Sequence, residues 1–335
     1  MANRQELLDH WLRDTVGLSH YRIEPASEDA SFRRYLRLYR NGETHIVMDA
    51  PPAQEDCGPF IAIAGRLLAC GLNVPRVLTS DRGNGFVLLT DLGDQLYLDR
   101  LEEGNVEALY GDALTALLKI QCAGDAAGLP AYDDCLLRRE MALFTDWLLV
   151  RHLGIEPDAA QQRGLECIFS NLIQSALAQP TVFVHRDYHS RNLLVTHNNN
   201  PGILDFQDAV AGPLSYDLVS LLKDCYVKWP RRRVNQWARQ YCQWLNASGA
   251  IEKVDECEFQ RWFDLMGVQR HLKASGIFAR LYHRDGKPGF LKDIPRTLSY
   301  ILDLEQDYPE LTALCRLIDD LIMPRLQPGD SGCMP

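Results

Sequence analysis

The sequence predicts an α+β protein in two lobes, a small antiparallel β-sheet lobe with one inserted helix and a larger, mostly helical lobe. Three observations carry this expectation. Residues 4–90 hold, after one helix, short apolar runs separated by turn residues. Beyond Asp91-Leu92-Gly93, apolar residues recur at helical spacing towards the C-terminus. One brief β interlude, between Thr181 and Asp205, interrupts the helical part. The lobes are placed at residues 1–92 and 93–335, and a cleft between lobes is a favoured place for a ligand.

Leu7, Leu8, Trp11 and Leu12 share one side of a first helix at about residues 4–16, which Gly17 stops. Strand-like runs at 32–40 and 44–48 flank Asn41-Gly42, a dipeptide suited to the positive φ angles of a tight hairpin. A helix near 60–70 follows. Strands at 74–79 and 86–90 then surround the turn Asp81-Arg82-Gly83-Asn84-Gly85. In the helical lobe, Val106, Leu109, Tyr110, Ala113, Leu114 and Leu117 mark one amphipathic helix. Leu165, Ile168, Phe169, Leu172, Ile173 and Ala176 mark another. There is no internal repeat, and His197-Asn198-Asn199-Asn200-Pro201 reads as a turn.

A chain of 335 residues with 46% hydrophobic and 24% charged residues is neither a disordered chain, a collagen-like repeat nor a membrane bundle. Acidic residues outnumber basic ones by 45 to 35, and the net charge of −10 argues against nucleic acid or an anionic membrane as partner. No apolar run has signal-peptide character or approaches the ~18 residues of a membrane span. The ten cysteines are scattered without a Cys-x-x-Cys, and Cys122, Cys225 and Cys315 fall inside helical patterns. That is the usage of a reducing cytosol. A cytoplasmic monomer is expected.

The β interlude carries the chemistry. An apolar run, Thr181 to Val184, leads into HRDYHSRN (His185–Asn192), then Leu193-Leu194-Val195, the Asn-rich turn, Gly202-Ile203-Leu204 and Asp205-Phe206-Gln207-Asp208. Two short strands joined by a turn form a hairpin, which sets Asn192 and Asp205 opposite each other at its open end. Magnesium on a polyphosphate prefers a few hard oxygen ligands, and an amide oxygen with a carboxylate supplies them. A separate carboxylate, Asp187, orients an acceptor hydroxyl and takes its proton. Kinase loops read His-Arg-Asp-x-x-x-x-Asn followed by Asp-Phe-Gly, and His185-Arg186-Asp187, Asn192 and Asp205-Phe206 stand at that spacing. His185 is expected to hold the loop through backbone hydrogen bonds. Asp208 is either a further metal or water ligand or a turn former. Asp217 either caps the following helix or braces the loop.

With HRDYHSRN, ILDFQD and GPLSYDLVSLL the chain resembles the aminoglycoside phosphotransferase and choline kinase group, small-molecule kinases with a protein-kinase-like fold. Protein kinases carry Gly after Asp-Phe and an Ala-Pro-Glu later; both are missing here. The resemblance implies ATP and Mg²⁺ as cofactors, Asp187 as catalytic base, Asn192 and Asp205 as metal ligands, and Asp217 as support of the loop. Two stretches, SFRRYLRLYRNGETHIVMDAPP and VQRHLKASGIFARLYHRDGK, resemble more narrowly the bacterial anomeric sugar kinases of peptidoglycan recycling. These act on the C1 hydroxyl of N-acetylmuramate and N-acetylglucosamine.

The first lobe departs from the group. The loop Ala26–Phe32 lacks glycine, which leaves backbone amides and the Ser31 hydroxyl to cover phosphates. Met48 stands where a phosphate-binding lysine is expected. Arg34, sharing a face with Leu36 and Leu38, is either the substitute, with Glu55 orienting it, or an arginine snorkelling past the sheet edge; Arg33 shares the face of Tyr35 and Arg37, which reads as solvated. The adenine is expected along the connector Leu88–Leu92, at Leu89 and Asp91.

An acidic sugar calls for cations. Arg270, His271 and Lys273 are the candidates for the acceptor pocket, with Asp224 for a sugar hydroxyl. Gln269, Lys273, Gly276 and Arg280 form a basic stripe on one helix face, read either as pocket lining or as a solvated face. The competing expectations are another small acceptor (an aminoglycoside, choline or homoserine) and a nucleotide-sensing pseudokinase. The second is disfavoured because a pure binding module needs no base.

Overall fold

The computed structural model describes residues 3–27 and 32–326. The chain divides into two units. The first runs to Ala116 and also contains Arg191–Asp208; the second holds Leu117–Ser190 and the chain from Ala209 onward.

In the first unit, α1 (Arg4–His10) starts at a capping box in which the Asn3 amide donates to Glu6 Oε2 at 3.0 Å. It continues through a π-helical turn, Trp11–Thr15. Leu8, Trp11 and Leu12 pack with Leu38, Val47, Phe86 and Leu88. Each such burial contributes about 1.5–3 kcal/mol. The sheet is β1 (Arg22–Ser27), β2 (Arg34–Arg40), β3 (Glu43–Asp49), β4 (Val77–Asp81) and β5 (Phe86–Thr90), ordered β1-β2-β3-β5-β4 and antiparallel throughout. Asn41 and Gly42 turn at φ 52° and 83°, the hairpin expected from their identity. β1 was not expected. Its Pro25 breaks a strand pattern, but on a sheet edge proline is tolerated.

Register decides what each face of this sheet does. Leu36 opposes Val47 and Val47 opposes Leu88, all on the face covered by α1. Arg34 opposes Asp49, and Asp49 opposes Phe86, on that same face. Tyr35, Met48, Val87 and Leu89 take the other face.

α2 (Gly58–Ala69) is the inserted helix; α3 (Tyr97–Arg100) and α4 (Val106–Ala123) follow the sheet. The remaining strands are β6 (Thr181–Val184), β7 (Leu193–Leu194), β8 (Gly202–Ile203) and β9 (Val210–Pro213). The β7–β8 hairpin belongs with the sheet. Ile203 N donates to Asn73 O at 2.8 Å, Val195 N to Gln95 O at 2.7 Å, and Asn200 Nδ2 to Tyr97 and Asp112 at 2.7 Å each. The Phe206 ring lies 4.8 Å from that of Phe60 on α2.

The second unit contains α5 (Asp134–Leu143), which runs on as π-helical turns over Phe144–His152, then α6 (Ala159–Leu177) and the ribbon of β6 with β9. α7 (Tyr216–Leu222), α8 (Arg231–Ser248), α9 (Glu256–Asp285), α10 (Ile294–Leu302) and shorter helices complete it. α9 packs against α5, α6, α7, α8 and α10, so residues Trp262 to Lys273 are buried without a break. Gly276 permits the approach to α5: a Cβ there would lie 2.3 Å from the Leu143 carbonyl carbon. Among the described residues no helix is long and apolar enough to cross a membrane.

Candidate functional site

The chain leaves β6 at Val184 and reverses at Arg186, whose φ of 77° is unusual for a residue with a Cβ. A buried carboxylate holds the reversal. Asp217 Oδ2 accepts the His185 N–H at 2.7 Å and Oδ1 accepts the Arg186 N–H at 2.9 Å. Of its two readings, the structure gives Asp217 the loop. Burial pushes its carboxyl up to about 7, against those two donors. At the far end of the loop, Asp224 accepts Ser190 N–H on Oδ2 and Tyr226 N–H on Oδ1, each at 2.9 Å. Asp224, expected to meet a sugar hydroxyl, is almost wholly buried and each of its oxygens holds a backbone N–H. His185 is buried, its ring 5.6 Å from Tyr188.

Asp187 is partly buried within this braced loop. Burial disfavours its anion, but Lys273, His189, Arg186 and Arg270 outweigh that and hold its carboxyl below the usual aspartate range. Lys273 is in turn fixed by Tyr216, to whose hydroxyl Nζ donates at 2.9 Å, and by Glu140 at 3.1 Å. Glu140 also receives Arg186 and the Tyr132 hydroxyl. Burial alone would raise its carboxyl; Lys273 and Arg186 bring it below the ordinary value.

Two further expectations change here. The stripe Gln269–Lys273–Gly276 is neither solvated nor an open anion site, because it packs on α5, where Glu140 neutralises Lys273. His271 does not face Asp187's neighbours. Its Nε2 lies 2.8 Å from the Lys223 carbonyl and its ring stacks on Tyr300 at 4.6 Å, with burial pushing its pKa well below the usual histidine value. Glu140 itself escaped the sequence reading, since a lone acid in an amphipathic helix carries no local sign that Lys273 will reach it.

In the first unit, Asn192 and Asp205 meet at the open end of the hairpin, as their positions predict. Asn192 Nδ2 donates to Asp205 Oδ2 at 3.2 Å, and Leu204 N donates to the Asn192 carbonyl at 2.9 Å. Asp205 adopts φ 60°, and Gln207 Nε2 donates to its Oδ1 at 2.7 Å. Gln207 Oε1 is buried and receives no hydrogen bond among the described residues. Asp208 is exposed. This donor set fits Mg²⁺: hard oxygens, few in number, with the remaining positions left to phosphate and water. The described residues contain no group of three or more His, Cys, Asp or Glu side chains able to hold a metal alone.

The cation near this hairpin is Arg33, not Arg34. Arg34 does share the face of Leu36, but α1 covers that face, and the guanidinium turns to Asp49, which also takes Arg4 Nε at 2.7 Å. Arg33 Nη2 donates to Glu55 Oε2 at 3.0 Å, with both side chains largely buried. Burial works against its charge, while Tyr35, Glu55, Asp208 and Asp205 support it. Met48 is wholly buried on the sheet. Leu89 lies on the face away from α1, and the Asp91 carboxylate accepts Arg37 Nε at 2.7 Å and Gly93 N–H at 2.9 Å. Ser31 lies outside the described residues.

Residues 22–257 match the phosphotransferase enzyme family. The chain is 50% identical over 297 residues to the N-acetylmuramate/N-acetylglucosamine kinase of Pseudomonas aeruginosa, covering 89% of this chain and 88% of that one. It is 40% identical over 324 residues to the kinase of the same name from Neisseria meningitidis serogroup B, covering 95% and 96%. Among solved structures it resembles a GDP complex of aminoglycoside 2′-phosphotransferase-IIIa, with TM-score 0.62 and 17% identity over 89% of this chain and 99% of that one. It also resembles a Plasmodium vivax ethanolamine kinase, with TM-score 0.63 and 9% identity over 89% and 90%. Loop, hairpin, sheet and relatives agree: the chain is an enzyme of the phosphotransferase enzyme family.

Proposed function

We propose that the protein is an ATP-dependent sugar 1-kinase that phosphorylates the anomeric C1 hydroxyl of N-acetylmuramate and N-acetylglucosamine in bacterial cell-wall recycling. The observation that carries this reading is the placing of Asp187 on a loop tied down by Asp217 and Asp224, five residues before Asn192 and among cations that favour its anion. The names of the relatives supply the acceptor.

In this reading the C1 oxygen attacks the γ-phosphorus, the bond to the β-phosphate oxygen breaks, and ADP leaves. Asp187 orients the hydroxyl and accepts its proton as the new bond forms. Its depressed pKa keeps it ready as an acceptor at neutral pH. Asn192 and Asp205 are the residues that would hold Mg²⁺, which when bound neutralises charge on the polyphosphate. Arg33, oriented by Glu55, takes over the phosphate pairing that Met48 cannot provide. Leu89 and the connector near Asp91 serve the adenine. The test is phosphorus NMR of the product formed from ATP, Mg²⁺ and each sugar. A sugar 1-phosphate is expected; a phosphate at another position, or no product, overturns the proposal.

A further inference from the structure

Six polar side chains of α9 lie inside the second unit: Asp264, Gln269, Arg270, His271, Lys273 and Ser275. Five bond to oxygen or nitrogen partners, Ser275 through Oγ to the Leu272 carbonyl at 2.9 Å. Asp264 pairs with Lys223 at 2.6 Å and accepts Tyr308 and Gln260. Gln269 reaches Glu140, His271 the Lys223 carbonyl, and Lys273 both Glu140 and Tyr216.

Arg270 differs. The residue is 6% exposed, Nη1 reaches only the Cys225 sulfur at 3.4 Å, and Nε has no hydrogen-bond partner among the described residues. A neutral thiol is a weak acceptor, and burial pushes the Cys225 thiol up, keeping it neutral. Asp187 and Asp224 act on Arg270 electrostatically, yet Asp224 already gives both oxygens to backbone. Burial opposes the charge on the guanidinium, but Cys225, Tyr216, Asp224 and Asp187 outweigh it, so Nε is a charged donor with no acceptor among the described residues. Such a donor can take an incoming anion. Lys273 cannot fill that role, because Glu140 has neutralised it.

We propose that Arg270 receives a carboxylate carried by the acceptor sugar, the lactyl group of N-acetylmuramate, and so sets the balance between acidic and neutral acceptors. The inference rests on the sugar-kinase reading. It gives the two groups different ends of one substrate: Asp187 takes the reacting hydroxyl, and Arg270 takes the acid.

The test compares three acceptors on the unmodified enzyme: N-acetylmuramate, its methyl ester and N-acetylglucosamine. Losing a charge-assisted hydrogen bond should raise KM for the ester about tenfold or more over the acid, with kcat little changed. In Arg270→Met the acid should lose that advantage and match the ester in KM, whatever common change in kcat follows from removing a cation that favours the Asp187 anion. Equal KM for acid and ester on the unmodified enzyme overturns the proposal. So does an Arg270→Met enzyme that still prefers the acid to the ester by KM. If Arg270→Met does not fold, the ester comparison decides alone. Failure to phosphorylate either sugar sinks the sugar-kinase reading itself, a result distinct from equal use of acid and ester.

Discussion

Arg33 donates to Glu55 across 3.0 Å, while the next residue along the chain turns to the opposite face of the sheet. One step in a strand separates a cation beside Asp205 from one beneath α1. Arg33→Ala should raise the KM for ATP about ten- to hundredfold, the range expected for lost hydrogen bonds to a charged group. Arg34→Ala, whose partner is a half-exposed ion pair, should change it less than about threefold. Nucleotide titration of the two variants side by side checks this, and the reverse ranking would restore Arg34.

Asp187→Asn keeps the shape of the loop and removes the proton acceptor. We expect kcat to fall about 10²- to 10⁴-fold, with ATP affinity and melting temperature close to those of the parent. Parent-like turnover would exclude Asp187 as the base. The acid limb of the parent's activity profile should lie below the usual aspartate range, since the neighbouring cations favour the ionised form.

Asp217 is predicted to make stability fall as pH rises. Its folded-state pKa is raised to about 7, so the contribution is fully present below the unfolded carboxyl pKa and lost on passing through 7. Denaturant unfolding of the parent and of Asp217→Asn at several pH values isolates it. A parent curve with no component removed by the substitution would show that the two backbone donors win over burial.

Breaking the Glu140–Lys273 contact should be severe. Glu140→Gln leaves a buried ammonium and Arg186 without their anion, with an expected loss of about 3–5 kcal/mol. Chemical denaturation measures it. A loss under about 1 kcal/mol would mean that Tyr216 and solvent suffice for Lys273.

Asp205→Asn should raise the Mg²⁺ concentration needed for half-maximal nucleotide binding, and chelation should abolish turnover reversibly. Calorimetric titration of ATP at graded Mg²⁺ reads this without relying on activity. An unchanged requirement would remove Asp205 from the ligand set.

What was readable in the sequence was local. Asn41-Gly42 specifies its own turn, and the interval from Asn192 to Asp205 encodes a hairpin whose ends must meet. Strand alternation correctly grouped Arg34 with Leu36 and Arg33 with Tyr35. It could not say which face α1 would cover, and so it missed that Arg34 turns to Asp49 beneath α1 while Arg33 meets Glu55. β1 was hidden by Pro25, which only an edge position excuses. Glu140 was missed, and the bond from Ser190 N–H to Asp224 was not foreseen, because these partners are far apart in sequence and meet only through packing.

The return of Arg191–Asp208 to the sheet unit has a consequence for biosynthesis. As the nascent polypeptide emerges, everything up to Ala116 is available early, yet the hairpin bearing Asp205 follows about ninety residues later. At ~5–20 residues per second that interval lasts several seconds. During it Asn73 and Gln95 lack the backbone partners that Ile203 and Val195 later provide. A ribosome stalled before this point would display an N-terminal unit still missing two of its backbone hydrogen bonds.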